Sequence, residues 1–74
     1  MERLKVDSSN LNSVGYDKES KSLDVEFKGG SVYRYFGVPS FLYDDMLVST
    51  SKGSFFHKHI KKNFKCEKQN GTLK

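Results

Sequence analysis

The chain has 74 residues, of which 35% are hydrophobic and 14% aromatic, and its formal net charge is +4. So short a chain buries only about 60% of the surface that it exposes when unfolded, which predicts one domain with its function on the outside of one small core. The single cysteine, Cys66, excludes an intramolecular disulfide, and because neither a signal peptide nor a long apolar run is present we expect a cytoplasmic protein without a membrane segment.

The first half of the chain predicts strands. Residues 12–17 place Val14 and Tyr16 on one face, and residues 22–28 alternate between apolar and polar side chains. The dipeptide Gly29-Gly30 then predicts a tight turn into a third strand that begins at Val32. Because consecutive strands joined by short turns usually pair with each other, we expect a three-stranded antiparallel meander.

After Gly37 the apolar period changes from two to about 3.6. Pro39 is suited to a first helical turn, so we expect a helix over residues 39–48. A second helix is predicted over residues 52–63, with Phe56, Ile60 and Phe64 on one face. The predicted fold class is α+β, a three-stranded antiparallel meander followed by two short helices packed on one of its faces (β-β-β-α-α).

The turn at Gly29-Gly30 leaves two strand registers open. A two-residue loop would place Arg34 opposite Val25 on the core side and turn Tyr33 and Tyr35 outward. A three-residue loop with a glycine bulge would turn both tyrosines toward the core. Arg34 would then point outward with Val32 and Phe36. We favour the second register, because a buried unpaired arginine is costly whereas exposed apolar side chains are ordinary.

Charge is concentrated near the end of the chain. Residues 49–74 carry seven lysines against one acidic residue, whereas residues 1–48 carry six basic and eight acidic residues. Lysines along one helix can contact phosphates without sequence specificity, although such a face can also serve only to keep a small protein soluble. The predicted nucleic-acid-binding residues are Arg34, Lys52, Lys58, Lys61, Lys62 and Lys65.

No pattern in the chain indicates catalysis, a metal site or a cofactor. His57 and His59 are two residues apart on a predicted helix, so they point in different directions and cannot share one metal. We expect His59 to lie at a helix boundary beside Phe55. Asp44 and Asp45 splay apart on the first helix, and the serines lack a base, so we do not expect an enzyme.

Three segments together resemble the KTSC domain: SSNLNSVGYD (8–17), LDVEFKGGSVYRYFGVP (23–39) and SKGSFFHKHI (51–60). The resemblance covers residues 8–64, which leaves an N-terminal extension (1–7) and a lysine-rich flexible tail (65–74). The positions that carry it are Tyr33, Tyr35, Val38, Pro39, Ser51, Gly53, Phe56 and Ile60. The family is named for its place at the C-terminus of some lysyl-tRNA synthetases, and this attachment to a tRNA enzyme implies RNA binding. It also includes free-standing bacterial and phage proteins.

Two hypotheses of different classes follow. The first is a non-enzymatic RNA-binding module whose contacts come from the lysine-rich helix, Arg34 and the rim of the tyrosines. The second is a small bacterial or phage regulator that docks on a host protein through Val32, Phe36 and Tyr43. We expect a monomer or a weak homo-oligomer formed through a free sheet edge. Tyr33 and Tyr35 themselves are predicted to be core residues rather than stacking platforms.

Overall fold

The computed structural model describes residues 3–6 and 10–69. Within these residues the chain forms five strands and two helices. In order they are β1 (Arg3–Lys5), β2 (Leu11–Asp17), β3 (Ser22–Phe27), β4 (Val32–Tyr35), α1 (Ser40–Val48), α2 (Lys52–His59) and β5 (Cys66–Gln69). No helix in this part of the chain is long and apolar enough to cross a membrane.

The strands form one antiparallel sheet in the order β1-β2-β3-β4-β5. The predicted α+β class, with both helices after the first strands, is confirmed, but the expected number of three strands is wrong. The two missed strands are short, largely exposed edge strands without apolar alternation, so they lack the sequence signal of a half-buried strand. They lie in the predicted extension and the predicted tail, whose residues 1, 2, 7 and 70–74 are outside the described residues.

A three-residue loop of Lys28, Gly29 and Gly30 joins β3 to β4, because Phe27 and Ser31 are hydrogen-bonded to each other at its base. The Gly30 amide donates to the Phe27 carbonyl and the Phe27 amide donates to the Ser31 carbonyl, each at 2.8 Å. Gly30 has a φ of 97°, as a glycine bulge requires. The strands then pair with Tyr35 opposite Leu23 and Tyr33 opposite Val25, which confirms the favoured register.

The expected exposure of Val32 is wrong, because its side chain is only 3% exposed. Sequence reasoning ended the sheet at β4. In the structure β5 continues the sheet and pairs Gln69 with Val32. Phe36, which the same prediction exposed, is 41% exposed.

Both helices pack on the face of the sheet that carries the tyrosines. Phe56 of α2 meets Phe27 and Tyr35 edge to face, with ring centroids 5.7 and 5.2 Å apart. On the α1 side Tyr43 stacks on Tyr16 at 5.1 Å. These aromatic contacts join the helices to a buried core of Leu11, Val14, Leu23, Val25, Val38, Met46 and Ile60.

Helix α2 is shorter than predicted and ends at His59 instead of residue 63. The amides of Ile60 and Lys61 both donate to the Phe56 carbonyl at 2.9 Å, and the Asn63 side-chain amide donates to the His59 carbonyl at 2.8 Å. These bonds satisfy carbonyls that a helix end leaves without partners. The chain can therefore reverse after His59 and return to the sheet as β5.

Candidate functional site

An open groove of about 720 Å³ lies between α2 and the β3–β4 turn. Phe27 and Phe56 form its apolar part, while Lys58 and Lys61 approach from the α2 side and Lys28 from the turn. All three lysines are exposed. We call this surface the lysine groove.

A second groove of about 420 Å³ lies over β4. Its lining includes Tyr33 and Tyr35, with Ser31 and Cys66 at polar positions. We call it the tyrosine groove. Phe27 and Lys61 line both grooves, so the two grooves adjoin each other on the helix-bearing face of the sheet.

Among the described residues, neither groove has an acidic side chain in its lining. Asp24, Glu26 and Glu67 occupy sheet positions that alternate with the core residues and therefore face the other side. Asp44 and Asp45 are exposed on α1. The described surface around the aromatic rings of the two grooves therefore carries lysines, while these carboxylates lie elsewhere.

The structure places Arg34 away from both grooves. It lies between Tyr33 and Tyr35 in β4, so its side chain points to the opposite face of the sheet. There its Nε donates to Oδ1 of Asp24 at 2.8 Å and its Nη2 to Oδ2 at 3.0 Å. The Asp24 side chain is only 4% exposed, and these hydrogen bonds raise the pKa of Arg34 above its ordinary value. Arg34 and the lysines of the lysine groove therefore cannot form one continuous site.

The remaining predicted lysines are dispersed. Lys52 donates from Nζ to the Ser49 carbonyl at 3.2 Å, where α1 has just ended. Lys62 and Lys65 lie beyond the end of α2 and line neither groove. Of the predicted nucleic-acid-binding residues, the structure brings together Lys58 and Lys61.

Sequence reasoning missed two lysines on this face. Lys28 had been assigned to the wet face of a longer β3, but the three-residue loop places it beside the lysine groove. Lys68 lies in the unpredicted strand β5 directly opposite Tyr33, and residues paired in this way share a face. The three-residue loop at Gly29-Gly30 is the sequence signal that indicates Lys28, whereas no local pattern indicates Lys68.

The residues that carry the family resemblance are mostly structural. Phe56 and Ile60 are buried, and Pro39 immediately precedes α1. Gly53 lies in the first turn of α2 and lines the lysine groove. Tyr35 is buried, and this burial, with the neighbouring Cys66 as a smaller cause, raises the pKa of its hydroxyl.

The expected position of His59 is confirmed. It is the last residue of α2, and its ring centroid lies 4.5 Å from that of Phe55.

Comparison with known proteins gives the same assignment as the three sequence segments. The KTSC domain model matches residues 7–64. A lysine–tRNA ligase of Nostoc punctiforme is 41% identical over 64 residues, which are 86% of this chain but only 11% of the ligase. An uncharacterized protein of Stutzerimonas stutzeri is 41% identical over 61 residues, 82% of this chain and 86% of that protein.

A solved structure extends the likeness to three dimensions. The crystal structure of a KTSC domain protein from Yersinia pestis superposes with a TM-score of 0.87 at 38% identity, covering 92% of this chain and 96% of that one. Relatives therefore carry this small module either within a lysine–tRNA ligase or as nearly the whole of a small protein. The chain belongs to the KTSC domain family.

Proposed function

We propose that this chain is a non-enzymatic module that binds RNA through the lysine groove. The observation that carries the proposal is the composition of the two adjoining grooves, whose described lining residues include aromatic rings and lysines and no carboxylate. A phosphate chain that follows Lys28, Lys58 and Lys61 would meet no carboxylate among the described lining residues.

The lysines of the groove also carry positive charge that is not neutralised within the described residues. The ion pair between Arg34 and Asp24 lies on the other face of the sheet. No described carboxylate pairs with Lys28, Lys58 or Lys61. Ammonium groups in this state gain from contact with phosphate, because each contact releases a counterion that was condensed on the nucleic acid. Binding of this kind weakens steeply as salt rises.

The relatives support RNA as the polyanion. Lysine–tRNA ligases, by their name, act on an RNA, and three of them contain a segment similar to this chain. A module that binds phosphates would increase the local affinity of such an enzyme for tRNA. The same contacts would allow a free-standing module to bind RNA by itself.

The test replaces Lys28, Lys58 and Lys61 together with glutamine and measures binding to labelled tRNA by fluorescence anisotropy across a salt series. Loss of three phosphate contacts should lower the slope of log affinity against log salt by roughly 2 to 3. The matched control replaces Lys18, Lys21 and Lys62, which are exposed and line neither groove. Equal loss in both variants, or no loss in the first, would rule out the lysine groove as the binding surface.

A second function is favoured by the outer surface of α1. Phe41 is 61% exposed and Val48 is 82% exposed, and their spacing of seven residues places them on one side of the helix with the acidic Asp44 and Asp45 nearby. Two large apolar side chains exposed on the same side of one helix offer a surface for a protein contact, which singly scattered apolar residues do not. If the module docks on a protein, a stoichiometric partner should remain bound after nuclease treatment and be lost when Phe41 and Val48 are both replaced by serine.

A further inference from the structure

We infer that the tyrosine groove holds an unpaired nucleobase, so that the module selects single-stranded over double-stranded RNA. This inference rests on the proposed function, because the groove would act on RNA that the lysine groove already binds. It adds the part of the RNA that is recognised and the state in which that part must be.

Tyr33 supplies the ring that would stack on the base. Tyr33 is half-buried, and its ring meets that of Phe27 edge to face at 5.6 Å with an interplanar angle of 79°. Phe27 in turn contacts Phe56 of α2. The Tyr33 ring is therefore supported by the core while it still lines the groove, which makes it a preformed platform of the kind used in single-strand binding.

The tyrosine groove has the size and the polar residues that a base requires. Its volume of about 420 Å³ lies within the range of small-molecule sites, roughly 300 to 1,000 Å³. Ser31 and Cys66 are among the lining residues. A hydroxyl can donate to and accept from the edge of a base, so the groove offers hydrogen bonds as well as a stacking surface.

Lysines lie close to where the phosphates on either side of the base would be. Lys61 lines both grooves, and Lys68 lies across from Tyr33 on the same face. A nucleotide whose base occupies the tyrosine groove would thus have ammonium groups close to its own backbone. From Lys61 the backbone can continue along Lys58 and Lys28 in the lysine groove.

A groove that holds a base distinguishes single-stranded from double-stranded RNA. A base inside a duplex is stacked on both sides and paired at its edge, so it cannot enter a groove in the sheet unless it is unpaired. Lysines alone do not make this distinction, because they contact phosphates of either form. The tyrosine groove is the feature of this surface that separates the two forms.

The test compares three probes that carry similar charge: a single-stranded RNA of about twenty nucleotides, a duplex of about ten base pairs, and an inorganic polyphosphate of about twenty phosphates. The wild-type protein should bind the single strand most tightly. Tyr33→Leu retains an apolar side chain over Val25 and should weaken single-strand binding by about fivefold to a hundredfold, the range for loss of one stacked base, without changing polyphosphate binding. Phe41→Leu, which alters an exposed ring on α1, is the matched control and should change neither.

A second measurement uses the unmutated protein labelled with fluorotyrosine, in case Tyr33→Leu does not fold. The signal of Tyr33 should shift with the single strand and not with polyphosphate, while those of Tyr16 and Tyr43, which stack on each other beside α1, should not shift. If single strand, duplex and polyphosphate bind equally and Tyr33 does not respond, the inference is overturned and the proposed RNA binding stands. If none of the probes binds, both are overturned, and a response of Tyr33 to a peptide alone would also overturn the inference.

Discussion

Arg34 and Asp24 form a two-pronged ion pair across strands β3 and β4, on the face of the sheet opposite both grooves. The arginine side chain is 38% exposed and the aspartate side chain 4% exposed, so the pair covers a nearly buried carboxylate. Removing the arginine would leave that carboxylate with fewer hydrogen bonds in a site from which water is largely excluded. The pair therefore has a structural role that a Tyr-x-Tyr sequence does not indicate.

Replacement of Arg34 by methionine should lower the free energy of unfolding by about 2 kcal/mol, because a buried acceptor loses two charge-assisted hydrogen bonds. Urea denaturation gives the measurement. The same substitution at the exposed Lys18 is the control and should have little effect. At a temperature where both variants are folded, Arg34→Met should bind RNA as the wild type does, and a selective loss of RNA binding would show that Arg34 belongs to the interface.

Two neighbouring lysines should differ in their effect on RNA binding. Lys61 lines both grooves and Lys62 lines neither. Lys61→Gln should weaken binding by about 1 kcal/mol, or roughly fivefold in Kd, and Lys62→Gln should weaken it less. Anisotropy titrations at one salt concentration are sufficient, since both variants have the same net charge. Equal effects would mean that only the overall charge of the segment matters.

The two glycines of the β3–β4 turn should also differ. Gly30 has a φ of 97°, where an L-amino acid is strained, whereas Gly29 does not have a positive φ and a methyl group there would meet nothing within 4 Å. Gly30→Ala should lower the free energy of unfolding by about 1 kcal/mol or more. Gly29→Ala should be neutral or slightly stabilising. Similar losses in thermal or urea unfolding at both positions would contradict the bulged turn.

The pKa of Tyr35 predicts how stability changes in alkaline solution. Burial raises this pKa above the ordinary value near 10, so above that pH the folded chain holds a proton that the unfolded chain releases. The stabilisation is complete below the unfolded pKa and is lost as the pH rises toward the folded one. Between pH 10 and 11, Tyr35→Phe should therefore lose roughly 1 kcal/mol less than the wild type.

Urea unfolding at pH 9, 10 and 11 measures the effect. The phenylalanine retains a ring against Phe56, so the variant should fold. Tyr16 and Tyr43 also have raised pKa values, so some pH dependence should remain in the variant. Identical pH profiles for the two proteins would show that Tyr35 is not buried in the folded state.

The local pattern of the chain was sufficient for its central elements. Alternation over β2 and β3, the Gly29-Gly30 turn and the helical period after Pro39 each depend on neighbouring residues, and each was recognised. The register of β4 could also be inferred, because only one of two loop lengths kept Arg34 out of the apolar side. The family assignment followed from motif order in these same segments.

The tertiary structure decided the rest, because it depends on contacts between residues distant in sequence. Strand β5 pairs with β4 although two helices lie between them in the sequence, and this pairing places Gln69 opposite the buried Val32 and Lys68 opposite Tyr33. Lys61 lines both grooves and Lys62 lines neither, although the two are adjacent in the chain. Sequence composition determined that the chain is basic and aromatic, and sheet pairing decided which of its cations meet its aromatic rings.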